Sequence, residues 1–232
     1  MTSGAQADLR VVDDPAGELA VRLLATARAG GDIVLTGGST PREAYERLAG
    51  EDLGGAALWF SDERCVELGD ERSNFGMVRA ALLDRIAGEP RAVHRMHGED
   101  GPHEGAEDYE RQLHEAFGGT PRFDLVVLGL GPDAHIASLF PGAPQLGERE
   151  RLAVGVEEAG LEPYVPRVSL TLPALEAARE VVFLVTGEGK AGAVRRAFGP
   201  GSAPTPDVPA SLLAHPVTVL LDRAAAAEVD AG

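Results

Sequence analysis

Five short apolar runs recur along the chain, and each one stops at glycine or at a polar cluster. They are Ile33–Leu35, Ala57–Phe60, Phe123–Leu128 (broken only by Asp124), Val181–Val185 and Val217–Leu221. Runs this short, apolar at consecutive positions and rich in β-branched residues, read as strands buried on both faces. Stretches with helical spacing lie between them: 15–29, 73–85, 106–117, 172–178, 191–198 and a terminal one at 223–229. Alternation of this kind leads to an α/β fold, a mainly parallel sheet covered on both faces. A chain of 232 residues is expected to form a single domain over 1–232.

The loops that follow the strands carry the chemistry. After Leu128, Gly129, Gly131 and Pro132 end the strand, and the next residues include Asp133 and His135. Ligands bind at the carboxyl ends of strands in open α/β sheets. An imidazole titrates near pH ~6.5, so His135 suits a general base, with Asp133 fixing its tautomer. The plainer alternative is a loop histidine paired with an aspartate in solvent. After Leu35 comes Thr36-Gly37-Gly38-Ser39-Thr40-Pro41. Thr40 reads as a helix N-cap, Pro41 as the first helical residue and Glu43 as the partner in a capping box. A strand, a Gly-Gly turn, hydroxyls and a helix start together suit an anion such as phosphate.

Ser61-Asp62-Glu63-Arg64 follows the second strand and reads either as a polar site or as a solvated turn. Asn74 lies near a helix start, to reach a ligand or to support the cap set by Ser73. Cys65 is read as a packed residue. Lys190 is the only lysine among 21 basic residues. It sits at a helix start, where the dipole disfavours a cation unless an anion is bound. His94, His97 and His103 lie close in sequence, but their spacing fits no strong metal motif. Gly129, Gly131 and Ala134 match a dinucleotide fingerprint; the match is set aside because Pro132 distorts the turn and Pro141-Gly142 leaves no room for a crossover helix.

A formal net charge of −16 argues against nucleic acid and anionic membrane as partners. One cysteine excludes an intrachain disulfide and suits a reducing cytoplasm. The first ten residues show no basic stretch leading into an apolar one, so no secretory signal is expected. No apolar run reaches membrane-spanning length.

Taken together, LTGGSTPREAYERLA (35–49), WFSDERCVELGDERSNFGMVRAALL (59–83), FDLVVLGLGPDAHIASLFPG (123–142), PRVSLTLPAL (166–175) and VVFLVTGEGKAGAVRRAF (181–198) resemble the 6-phosphogluconolactonases. These belong to the wider glucosamine-6-phosphate deaminase/isomerase superfamily. The resemblance implies a three-layer Rossmann-like fold and hydrolysis of 6-phospho-D-glucono-1,5-lactone in the oxidative pentose phosphate pathway. It implies a sugar-phosphate lactone as partner and no metal or organic cofactor, and a cytoplasmic monomer is expected. By the same resemblance His135 looks like the general base and Asp133 its partner. Gly37, Gly38, Ser39 and Thr40 look like the phosphate loop, and Arg64, Arg167 and Lys190 like cationic substrate contacts. Backbone N–H groups near Gly131 or Arg64 are the candidates for holding the oxyanion. Phe140 stands where the deaminases carry a glutamate, which favours the lactonase. Ala134 stands where the family usually has glycine; if that position needs a positive φ, the alanine is strained by roughly 1–2 kcal/mol.

Overall fold

The computed structural model describes residues 7–229. Most of the N-terminal stretch judged free of a secretory signal, and the last three residues of the 1–232 domain, lie outside that range. Ten strands and six α-helices alternate along the described chain. The strands are β1 (Ala7–Val11), β2 (Asp32–Leu35), β3 (Ala57–Phe60), β4 (Asp62–Arg64), β5 (Ala92–Val93), β6 (Leu125–Leu128), β7 (Ala153–Val156), β8 (Arg167–Leu170), β9 (Val181–Val185) and β10 (Val217–Leu221). The helices are α1 (Pro15–Arg28), α2 (Ser39–Glu46), α3 (Asn74–Val78, continued by a π-helical turn at Arg79–Leu83), α4 (Pro102–Phe117), α5 (Leu172–Glu176) and α6 (Ala191–Phe198). Seven strands form one sheet in the order β1-β10-β9-β6-β2-β3-β5. Every pairing in it is parallel.

Strand side chains alternate between faces, and that alternation divides the interior in two. Ile33, Leu35, Leu125, Val127, Val182 and Leu184 pack with Leu19 and Leu23 of α1, Tyr45 of α2 and Val78 of α3. Val34, Val126, Leu128, Val181 and Phe183 pack on the other face with Tyr109 and Leu113 of α4, Leu175 of α5 and Val194 of α6. Both sets are needed, which is why the strand sequences read as unbroken apolar runs. Each fully buried side chain of this size contributes about 1.5–3 kcal/mol.

Two tyrosines brace the strand ends next to the site. The Tyr45 hydroxyl accepts from Thr36 N (3.0 Å) and donates to Thr36 O (2.9 Å), just beyond β2. The Tyr109 hydroxyl does the same at Phe60 in β3, accepting from its N (2.8 Å) and donating to its O (3.1 Å). Burial pushes both phenol pKa values upward, so the hydroxyls stay protonated and keep both roles.

The structure differs from the sequence reading in several places. β1 had not been expected; Ala7, Leu9 and Val11 alternate with Asp8 and Arg10, and the strand adds to the sheet edge along β10. A second, antiparallel sheet of β4, β8 and β7 stands apart from the large one. Residues 223–229 run as turns rather than a helix. Among the described residues no helix is long and apolar enough to cross a membrane.

Candidate active site

The order of the large sheet fixes where a ligand goes. From β2 the chain moves outward through β3 and β5, then returns to the other side of β2 as β6 and moves away through β9 and β10. β2 and β6 are therefore the pair at which the winding reverses, and a crevice opens beyond their carboxyl ends. The loops after β2, β6 and β9 line a cleft of about 230 Å³ there.

The β6 loop supplies the acid–base pair. His135 Nδ1 and Asp133 Oδ1 are 2.6 Å apart, and the same Oδ1 accepts from His135 N at 3.2 Å. Burial works to raise the Asp133 carboxyl, but the hydrogen bond and charge of His135 prevail and hold it below the usual range. An ionised Asp133 favours the tautomer with hydrogen on Nδ1, leaving the Nε2 lone pair free. The His135 side chain is only 16% exposed, and it lines the cleft. Gly131 N donates to His135 O (3.0 Å) and Ala134 N to Gly131 O (2.9 Å), closing a tight loop. A side-chain carbon at Gly131 would overlap the His135 ring and Asp133 Oδ1, so only glycine lets the pair sit this close to the strand end.

Ala134 takes the strained option. Its φ is 69°, in the left-handed region, and Ala137 follows at 47°. The Ala134 methyl is fully buried, so strain of about 1 kcal/mol is set against roughly 0.8 kcal/mol for one buried methyl group. Ala134→Gly is accordingly expected to change unfolding stability by less than about 1 kcal/mol, with turnover retained. Urea denaturation checks this; a loss above about 2 kcal/mol would mean that packing of the methyl far outweighs the strain.

The β2 loop turns into α2 earlier than its capping residues suggest. The N-cap is Gly38, at φ 112°, and no side chain caps the helix. Thr40 is inside the first turn; its Oγ1 meets Thr186 Oγ1 at 3.1 Å, and Glu43 pairs with Arg47 at 2.7 Å instead of closing a capping box. The left-handed Gly38 allows the helix to begin early. The backbone N–H groups of Gly37, Gly38, Ser39 and Thr40 make no hydrogen bond within the described chain. The four residues line the cleft, and unpaired donors at a helix start are the arrangement that suits an anion.

Asp62, Glu63 and Arg64 form β4, paired with β8. Asp62 and Glu63 are only 5% and 3% exposed, so a solvated turn is ruled out. Apolar alternation gave no signal for a buried strand made of charged residues. Glu63 accepts from Arg64 N (2.6 Å), Asn74 N (2.7 Å), Phe75 N (2.7 Å) and Ser73 Oγ (3.1 Å). Burial pushes its pKa up against those donors. Glu63 thus fastens the start of α3 to β4 and places Arg64 and Asn74, both of which line the cleft. Asn74 Nδ2 also donates to Asp62 O at 2.9 Å. Asp62 Oδ2 accepts from Ser138 Oγ (2.7 Å) and Oδ1 from Ser61 Oγ (2.9 Å).

The three cations are held by different partners. Arg167, at the start of β8, is 3% exposed; its Nη2 donates to Leu161 O and Pro163 O, both at 3.0 Å, and its Nε has no partner. Burial lowers its pKa, with Asp62 opposing. Arg64 Nη1 donates to Arg72 O at 2.6 Å. Lys190 Nζ donates to Leu130 O at 2.6 Å, and burial lowers its pKa while Asp133 opposes. All three line the cleft. Of the backbone groups near Gly131 and Arg64 expected to hold an oxyanion, the N–H groups of these two residues themselves are occupied: Gly131 N by His135 O and Arg64 N by Glu63. The cause is local, since one closes the histidine loop and the other feeds the buried carboxylate.

The remaining singled-out residues have separate partners. His94 stacks on Trp59 at 3.8 Å between ring centroids, His97 faces Asp108 and His103 faces Glu157. Burial pushes the Cys65 thiol up to about 12, which leaves it protonated and unreactive. After β6 the chain runs on as turns with one 3-10 turn at Pro144–Gly147, and no α-helix forms between the dinucleotide-like fingerprint and β7.

The family model described as glucosamine-6-phosphate isomerases/6-phosphogluconolactonase matches residues 11–221. The chain belongs to this family. A curated 6-phosphogluconolactonase of Streptomyces coelicolor is 39% identical over 220 residues, covering 88% of this chain and 84% of that protein. The human 6-phosphogluconolactonase is 41% identical over 182 residues, covering 75% of this chain and 70% of its own. Among solved structures, the 6-phosphogluconolactonase from Trypanosoma cruzi superposes with a TM-score of 0.83 at 25% identity, over 99% of this chain and 98% of that one. Within the family's shared range fall all the site residues described above, from Gly37 to Lys190.

Proposed function

We propose that this chain acts as a single three-layer, Rossmann-like unit that hydrolyses 6-phospho-D-glucono-1,5-lactone to 6-phospho-D-gluconate with His135 as general base. The chain is a carboxylic ester hydrolase of the 6-phosphogluconolactonase type, the enzyme of lactone hydrolysis in the oxidative pentose phosphate pathway. One observation carries the mechanism: an imidazole oriented by a carboxylate at 2.6 Å opens into a cleft that also holds Arg64, Arg167 and Lys190. An acidic protein thus gathers its cations where a sugar phosphate would sit.

In this reading the phosphate rests on the free N–H groups of residues 37–40, with the Ser39 and Thr40 hydroxyls, Lys190 and Arg167 around it. The lactone carbonyl carbon then faces His135 Nε2. Nε2 takes a proton from water as its oxygen attacks that carbon, and Asp133 stabilises the imidazolium. The imidazolium returns the proton to the ring oxygen as the carbon–oxygen bond breaks, releasing the open-chain acid. A δ-lactone is reactive enough for orientation and one base to suffice. The proposed enzyme works as a cytoplasmic monomer without metal or organic cofactor.

Turnover is measured with the lactone in an assay coupled to 6-phosphogluconate dehydrogenase and corrected for spontaneous hydrolysis, alongside glucosamine 6-phosphate. Enzyme-dependent lactone hydrolysis without deamination is the expected result. Deamination without lactonase activity would overturn the assignment. Phe140, in place of an acid that could assist ring opening, is the feature that argues against a deaminase.

A further inference from the structure

Phe140 lies where the proposed base and one of the proposed substrate cations meet. It is 3% exposed. Its ring is 4.7 Å from the His135 ring, centroid to centroid, tilted by 46°. The Arg167 guanidinium carbon is 5.4 Å from the centroid of the same Phe140 ring. The ring also has little freedom. A side-chain carbon at Gly160 would stand 3.0 Å from Phe140 Cδ1, so glycine there lets the segment lie close against the ring. That segment is tied down by Arg167 itself, through Leu161 O and Pro163 O.

The polar contacts of Arg167 are all neutral. They are those two carbonyls and a long approach of 3.5 Å to Ser138 Oγ. An aromatic face carries negative potential and attracts a guanidinium or an imidazolium. We propose that Phe140 is a positioning residue that holds the His135 imidazole and the Arg167 guanidinium in fixed relation to each other through one aromatic ring. The proposal rests on the reading of His135 as base and Arg167 as substrate cation. Phe140 itself touches no reacting atom. Its effect is to keep the base and the anchoring cation in register, so that a substrate held by one is presented to the other. A leucine has comparable bulk but no charged-group-binding face, and it leaves the two planar groups without their common reference.

Two variants separate this role from packing. One is Phe140→Leu. The other is replacement of Phe140 by 3,4,5-trifluorophenylalanine, which nearly preserves the shape and removes most of the negative potential of the face. Folding of both is checked by circular dichroism and thermal unfolding, and His135→Ala is assayed in the same series. For Phe140→Leu, kcat is expected to fall about tenfold and KM to rise about fivefold. The fluorinated protein is expected to shift both in the same directions, by roughly two- to threefold. A fluorinated protein with unchanged kcat and KM overturns the proposal, because the ring then acts through bulk alone. Unchanged kinetics in Phe140→Leu overturns it as well, and if that variant does not fold the fluorinated protein decides. Retained turnover in His135→Ala would defeat the reading of the base. A dead His135→Ala beside an unaffected fluorinated protein defeats only the positioning role.

Discussion

His135→Ala is expected to lower kcat by about 10²- to 10⁴-fold while the protein still folds. The size follows from the geometry. Nδ1 is committed to Asp133 at 2.6 Å, so the ring presents a single basic nitrogen to the cleft, and no second imidazole lies among the cleft-lining residues. Folding survives because the loop is closed by backbone bonds, Gly131 N to His135 O and Ala210 N to Ala134 O, which do not need the ring. Asp133 is left without its partner but keeps partial solvent access, at 29% side-chain exposure. Steady-state kinetics against the uncatalysed rate, with a melting curve, measures both parts. Turnover within a few fold of wild type would remove His135 from the chemistry.

Arg167→Ala is expected to act on binding and on stability together. Losing one charge-assisted contact to a phosphate corresponds to a KM increase of roughly 10- to 100-fold. Arg167 is also buried beside Asp62, whose charge it offsets, and it is the donor to two carbonyls of the 161–163 segment. Leaving those two part-buried carbonyls without their donor costs about 1–3 kcal/mol. The expected picture is a raised KM, a lesser effect on kcat and an unfolding midpoint well below wild type in urea. A stable variant with an unchanged KM would take Arg167 out of the phosphate site and leave it as a structural anchor.

These residues also show what the sequence could and could not disclose. His135 and Asp133 were legible because glycines and a proline end an apolar strand just before them, and the carboxyl end of a parallel strand is where such groups matter. The sheet was legible because its strands are buried on both faces and therefore apolar throughout. β4 was not, because Asp62, Glu63 and Arg64 are paired and buried in spite of their charge. Neither was the anchoring role of Glu63, three of whose donors come from Ser73, Asn74 and Phe75, ten to twelve residues further on. Thr40 misled for a physical reason. It has the residue type of a cap, but the left-handed Gly38 lets the helix start ahead of it. At Ala134 the strain foreseen for a positive φ is present. β1 offered only a three-residue alternation at the sheet edge, too short to stand out from a loop.

The paired tyrosines have a consequence for how the cleft can move. Tyr45 and Tyr109 reach the ends of neighbouring strands from helices on opposite faces of the sheet. The floor of the cleft is therefore clamped from above and below, and it cannot loosen unless one of the two cores gives way. The roof, formed by the segment that carries the cleft-lining Leu161 and Glu162, has no comparable clamp among the described residues. Residues 161–163 are held to the wall by one guanidinium, the group that in the proposed mechanism also meets the phosphate. Floor and roof thus differ in what holds them: the floor shares the stability of the whole domain, while the hold on the roof is open to competition from the substrate.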